Sequence, residues 1–469
     1  MDNEKSLFER LKENKKIPFH MPGHKRKNAS IPNLNLLGSA FDITEIEGFD
    51  NLHNPNGIIK NSMSLAAKVW GAKKSFYLVN GSSGGILAAV FSCINFGDTV
   101  ICARNLHKSV YNALRLIGAN VKFVNPAYDK KTGICGEISS ETVENACKAH
   151  PEAKLVIITS PTYEGVISNI EKISKTAHQF NMTLLVDEAH GAHLSFASFC
   201  KGAVKSGADI VVQSLHKTLS SLTQTAIVHV CTDRININKL KENLSVFQTT
   251  SPSYLFLASQ DLLVRTLCEK KDVFFKAWEE GLNYFYSSVK DLENIEIMSA
   301  KTFPCFAFDR SKIVILTHKT NISGKNLADI LRNEYNIECE MASARYAVAM
   351  TGSGDDKESL RLLSDALVKI DKTLKRQDNP ELFLYPEKFE CEMTPFDAQK
   401  HSFCKAKYKE AENKISAEYV FAYPPGIPIL IPGEKITSEI LKIMSAYAKN
   451  GISLTGSLSP GGENIHIIC

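Results

Sequence analysis

The chain has 469 residues, 44% apolar and 23% charged, and 55 Lys+Arg against 51 Asp+Glu leave a net charge of +4. That length corresponds to roughly two to four domains, and the balance excludes the low-hydropathy, high-charge regime of disordered chains. A pI near 8.3 without any long basic run argues against nucleic acid as a partner, and no stretch reaches the roughly 18 apolar residues of a membrane span.

The first 60 residues read as an irregular segment rich in His, Asn, Pro and Gly, with a short helical start around Glu4–Lys12. From Ser75 short apolar runs alternate with helical periods. SFYLV (75–79) reads as a strand, NGSSGG (80–85) as a loop, and ILAAVFSCINF as a helix closed by Gly97. TVICA (99–103), VKFV (121–124), KLVIITS (154–160), TLLVD (183–187), DIVVQS (209–214) and TAIVHV (225–230) are the following strands. Continuous apolar strands alternating with helices predict a buried, mainly parallel sheet. Residues around 259–290 read as long-helical, and KIVIL with the GKNLADILRNEY helix restarts a strand–helix rhythm. The segment 375–386 is a boundary before a small mixed unit. The expected architecture is α/β: an N-terminal segment (1–60), a large domain (61–265), a smaller α/β domain (266–375) and a C-terminal domain (376–469).

The charged N-terminus (MDNEKSLFERLKENKK) lacks the apolar region of a signal peptide. The 12 cysteines are scattered singly, with no CxxC pair, which suits neither a zinc site nor a disulfide framework. The expectation is a reduced, cytoplasmic protein without a metal, whose cysteines are mostly small buried apolar groups.

Sites on open parallel sheets form at the carboxyl ends of strands, and four such ends carry polar clusters. Asn80–Gly85 offers small residues and a following helix, a geometry that suits an anion, although alone it is a plain Gly/Ser turn. Asp187 opens DEAHGAH; its bland reading is a helix cap. Ser214-Leu215-His216-Lys217 ends the next strand, 30 residues after Asp187, so that one strand–helix–strand step places Asp187 and Lys217 on the same sheet edge. His107 follows strand 99–103 and alone is ordinary polar surface. Jointly, a phosphate cradle, a ring-contacting His, a buried acid and a strand-end Lys suit pyridoxal phosphate (PLP) chemistry, in which Lys forms a Schiff base and a carboxylate keeps the pyridine nitrogen protonated.

With these residues in place, the sequence resembles the Orn/Lys/Arg decarboxylases of PLP fold type I, and in particular the short Gram-positive-type members. The resemblance rests on PFHMPGHKR (18–26), DNLHNPNGIIKNSMSLAA (50–67), VNGSSGG (79–85), RNLHKSV (104–110), SPTYEGV (160–166), LLVDEAHGAH (184–193), SLHKTLSSLTQ (214–224), TTSPSYLFLAS (249–259) and YPPGIPILIPGE (423–434). It implies Lys217 as the cofactor lysine, Asp187 as partner of the ring nitrogen and His107 stacked on the ring. It also implies that Ser82, Ser83, Ser214 and His216 hold the phosphate, that Ala189 packs on the other ring face, and that His190 lies near the phenolic oxygen. Thr250 or Ser251 would reach the phosphate of a neighbouring subunit, which implies a homodimer or a dimer-based assembly.

The implied reaction converts a basic L-amino acid to its amine plus CO2, with arginine leading and lysine and ornithine behind it. Another fold type I enzyme (an aminotransferase or lyase) and a non-catalytic PLP-fold regulator are the alternatives. A basic side chain needs a carboxylate partner. The expected candidates are Asp42, Glu45, Glu47 and Asp50 near the N-terminus, then Glu338, Glu340 and Asp355.

Overall fold

A computed structural model describes all residues except 1–4, 19–20, 23, 27–32, 197–200, 387, 424–426, 457 and 459–463. The predicted helical start at Glu4, parts of the PFHMPGHKR block and the centre of YPPGIP therefore lie outside the described residues. The chain divides into two compact units: residues 1–93, 183–276 and 352–354 in one, and 94–182, 277–351 and 355–469 in the other.

In the first unit, strands run in the order Lys74–Leu78, Ala226–Val230, Ile210–Ser214, Thr183–Asp187. The last two are parallel, with Asp187 opposite Val212. Ala226–Val230 runs antiparallel to both of its neighbours. The side chains of the three latter strands are buried almost throughout, as uninterrupted apolar runs predict for strands covered on both faces. The predicted loop at 80–85 differs from what is found: Gly81 already starts the helix, which spans Gly81–Cys93 and stops short of Phe96. Gly85 explains how that helix lies on the sheet. A Cβ there would stand 2.4 Å from Leu78 Cδ1 and 3.0 Å from Val212 Cγ1, so only glycine permits this approach.

A second difference concerns the connection between Asp187 and strand Ile210–Ser214. Its described part holds two short 3-10 turns, Ala192–Ser195 and Ala203–Lys205, and no α-helix. The long-helical stretch is two helices, Tyr254–Phe274 and Lys276–Ser288.

In the second unit, Thr99–Ala103 pairs in parallel with both Asn120–Val124 and Leu155–Thr159. A smaller antiparallel sheet has Lys312–Leu316 and Tyr346–Met350 at its centre, accompanied by the helices Gly324–Tyr335 and Lys357–Asp371. The C-terminal part sets Val420–Tyr423 between Ile427–Leu430 and Ser453–Gly456, with helix Ser438–Lys449 and a core that includes Val420, Leu430, Ile436, Ile440 and Ile465.

The cysteine expectation needs correction. Of those described, only Cys102, Cys147 and Cys339 are buried, while Cys391, Cys404 and Cys469 are exposed. Among the described residues no helix is long and apolar enough to cross a membrane.

Candidate active site

The first unit gathers most of the predicted residues at the carboxyl ends of its parallel strands. Helix Gly81–Cys93 presents its N-terminus there. Of its first four N–H groups, Gly81 donates to Gln224 O at 2.9 Å and Gly84 to Asn80 O at 3.3 Å. Among the described residues those of Ser82 and Ser83 have no acceptor outside the helix, and the first turn of a helix has no internal acceptors for them. Ser214 Oγ donates to Ser82 Oγ at 3.0 Å, which joins the lysine strand to the cradle.

Asp187 ends its strand buried, with Oδ1 accepting the Ala189 N–H at 3.1 Å. Burial raises its pKa, and the positive charge of Lys217 and the Ala189 N–H act against that rise. Lys217 lies on a single helical turn, Leu215–Thr218, immediately after strand-end Ser214. Its Nζ is 2.9 Å from His190 Nε2. The DEAHGAH and SLHK blocks thus meet through a lysine–imidazole hydrogen bond, with Ala189 and His190 both buried beside Asp187.

The other predicted residues are placed as follows. His216 Nδ1 donates to Thr225 O at 2.9 Å, and burial lowers its pKa against that hydrogen bond. Thr250 and Ser251 are exposed, in a segment whose Thr249 O accepts from His53 Nε2 at 2.8 Å. Gln248 Oε1 accepts from Val79 N at 2.9 Å, which fixes the start of that segment against the strand preceding the cradle. His107, in the second unit, caps helix Lys108–Leu116: its Nδ1 accepts the Ser109 N–H at 3.2 Å, so the ring proton resides on Nε2.

Several contributors escaped the sequence reading. Glu188, beside Asp187, is buried and accepts from Ala203 N at 2.7 Å and from Gln213 Nε2 at 2.7 Å. Gln213 Oε1 lies 3.3 Å from His229 Nε2, and His229 Nδ1 is 2.7 Å from Ser75 Oγ. Burial pushes Glu188 up to about 8 and His229 down to about 3. The only signal was a second acid next to Asp187. Ser353, remote in sequence, donates its N–H to Thr218 O at 2.9 Å and so closes over the lysine turn.

The acids proposed for side-chain recognition have mostly other work. Asp50 accepts N–H groups from Asn56, Gly57, Ile59 and Lys60 at 2.8–3.2 Å, starting helix Ile58–Trp70. Burial pushes its pKa up, but these donors outweigh burial and hold it below the ordinary carboxylate range. Asp42 lies 3.2 Å from His24 Nε2, Glu338 pairs with Arg332 at 2.7 Å, and Glu340 accepts the Tyr163 hydroxyl.

The donor set fits pyridoxal phosphate. First-turn N–H groups and neighbouring hydroxyls at a helix N-terminus suit a phosphate; a buried carboxylate suits a ring nitrogen, and a lysine is close enough to act on it by charge. Fold and strand-end set define an α/β enzyme of PLP fold type I.

The comparisons narrow the class. The profile described as "Orn/Lys/Arg decarboxylase, major domain" matches residues 5–310, and that of the family's C-terminal domain matches 380–456. The arginine decarboxylase of Bacillus subtilis is 34% identical over 465 residues, 96% of this chain and 94% of that protein. Lysine decarboxylase A from Pseudomonas aeruginosa superposes with a TM-score of 0.83 at 19% identity, covering 99% of this chain and 80% of that one. An alanine–glyoxylate aminotransferase from Nostoc sp. shares less of the fold, with a TM-score of 0.55 at 17% identity, over 68% of this chain and 88% of its own. The chain belongs to the Orn/Lys/Arg decarboxylase family.

Proposed function

We propose that the protein decarboxylates L-arginine to agmatine, with lysine and then ornithine as the next substrates in order, using pyridoxal phosphate. The observation that carries this reading is the gathering of Asp187, Lys217 and the Ser82–Ser83 helix terminus, the last tied to the lysine strand by the Ser214–Ser82 hydrogen bond. The choice of arginine is supported by the Bacillus subtilis relative.

Ser82, Ser83, Ser214 and His216 would hold the phosphate, Lys217 would anchor the cofactor covalently, and His107 and Ala189 would contact its ring. When bound, the cofactor supplies an electron sink for the pair released as the Cα–carboxylate bond breaks. Asp187, buried at its strand end, would stand against the ring nitrogen and hold a proton there by charge, with Lys217 and the Ala189 N–H favouring its ionised form against the effect of burial. His190 accepts a hydrogen bond from the Lys217 ammonium and orients it. That ammonium delivers the proton that replaces the lost carboxylate on Cα, so one proton is taken up for each CO2 released.

We further read the protein as a cytoplasmic homodimer in which Thr250 and Ser251 complete the partner's phosphate site. The deciding experiment incubates PLP-loaded protein with arginine, lysine and ornithine, measures CO2 and identifies the amine. Agmatine as the preferred product is expected. Acceptance of a 2-oxo acid without CO2 release would establish an aminotransferase, and inertness towards all three amino acids in protein that binds PLP would indicate a regulator.

A further inference from the structure

Glu164 lies in the SPTYEGV block, in the second unit, and has no part in the chemistry above. Its carboxylate is buried, accepting the Tyr346 hydroxyl at 2.8 Å, with further hydrogen bonds from Thr162 and its own N–H. None of these partners is a cation. Burial therefore pushes its pKa up with nothing but neutral donors to oppose it. A carboxylate so placed is costly unless a positive charge joins it.

Glu164 lines a cavity of about 50 Å³ whose other walls include Tyr128, Tyr346, Tyr385, Phe389 and Tyr447. That space suits about three or four waters, or one small planar head group. Tyr128 and Tyr385 are stacked at 5.8 Å between centroids, and Phe389 meets Tyr385 edge-on at 5.6 Å. Three of the tyrosine hydroxyls are used: Tyr346 on Glu164, Tyr128 on Leu382 O at 3.0 Å, and Tyr447 on Leu384 O at 3.1 Å. The buried hydroxyl of Tyr385 has no hydrogen-bond partner among the described residues. Arg104, whose guanidinium lies over the Phe389 ring at 4.1 Å, is itself committed to Glu434.

An uncompensated carboxylate, aromatic faces and a spare hydroxyl acceptor form one chemical description. Each attracts a cation bearing N–H groups: the carboxylate by charge, the rings by their quadrupoles and the hydroxyl as an acceptor. We propose that this cavity binds the guanidinium or ammonium head of a small aliphatic cation. That cation is either the distal end of a basic amino acid or amine that the enzyme handles, or a free small amine; the chemistry of recognition is the same.

The test uses PLP-loaded protein and methylguanidine, which has no primary amine to attack an aldehyde. Calorimetric titration is compared with methylurea, its uncharged isostere. Methylguanidine is expected to bind in the millimolar range and methylurea at least tenfold more weakly. Glu164→Gln should weaken methylguanidine at least tenfold, and Tyr385→Phe severalfold. Displacement by arginine or agmatine would assign the cavity to the reaction's own molecules; binding that persists at saturating arginine would assign it to a free amine. Equal binding of the two probes, undiminished binding in Glu164→Gln, or no binding by the parent protein would overturn the proposal. Should Glu164→Gln not fold, the comparison of the two probes on the parent protein decides alone.

Discussion

Arg104 and Glu434, 330 positions apart in sequence, form an ion pair at 3.0 Å with both side chains fully buried. The pair is doubly bonded, since Arg104 Nε also reaches Glu434 Oε1 at 3.3 Å, and Arg104 Nη1 donates to Pro428 O at 2.7 Å. Glu434 Oε2 accepts the Ile431 N–H as well, at 2.9 Å. It connects the RNLHKSV block, which carries His107, to the IPGE end of the C-terminal segment. Removing one member strands the other charge, which costs about 3–5 kcal/mol, whereas an apolar pair of similar volume is often tolerated. Arg104→Met and Glu434→Gln should each lower stability to urea by that amount, and Arg104→Met/Glu434→Leu by distinctly less. Equal losses in the single and double variants would contradict this account.

Lys217 is expected to be the site of covalent cofactor attachment. Borohydride reduction followed by peptide mapping should place the cofactor on this residue, and Lys217→Ala should abolish both the adduct and turnover. Attachment to any other lysine would refute the assignment.

Replacing Asp187 by Ala removes the buried carboxyl group proposed to hold a proton on the ring nitrogen. A charge-assisted hydrogen bond contributes about 1.5–3 kcal/mol, so the catalytic rate should fall at least roughly tenfold to a hundredfold. Rates measured at saturating PLP separate this loss from weakened cofactor binding, and a near-normal rate there would rule the role out.

Glu188 makes stability depend on pH. Its pKa is raised from 4.5 to about 8 by burial, so the folded state binds the proton more tightly than the unfolded state. Its contribution is fully present below pH 4.5 and is lost as pH rises towards 8. Glu188→Gln has no charge to lose, and Gln213 can turn its amide to meet the new group. The difference in stability between variant and parent should therefore move in the variant's favour between pH 5 and pH 8 by a few kcal/mol, on the order that such a shift implies. Parallel curves across that range, from urea titrations, would remove Glu188 as the source.

The proposed sharing of sites between subunits is open to complementation. Lys217→Ala chains mixed with chains altered at both Thr250 and Ser251, each inactive alone, should regain activity as heterodimers, because one site then receives both intact contributions. Verified heterodimers with no activity would count against a shared site.

The α/β alternation, the strand positions and the residues at their carboxyl ends were legible in the sequence because each rests on local information: apolar runs of strand length, and polar clusters directly after them. Asp187 and Lys217 could be assigned to one edge because parallel neighbouring strands end on the same side. The resemblance then supplied their roles. Other features depended on distant partners. Residues 80–85 read as a loop because glycine and serine are poor helix formers, yet Gly85 is required for the helix to approach Leu78 and Val212, an advantage invisible until the sheet is built. Asp50 looked like a free acid, but the turn of the chain brings the N–H groups of Asn51, Asn56, Gly57, Ile59 and Lys60 onto it. Glu188, Glu164 and the Arg104–Glu434 pair are charged residues that composition assigns to the surface. Only the tertiary structure withdraws water from them, and with that the low dielectric that gives their partners, or the lack of a cation, chemical consequence.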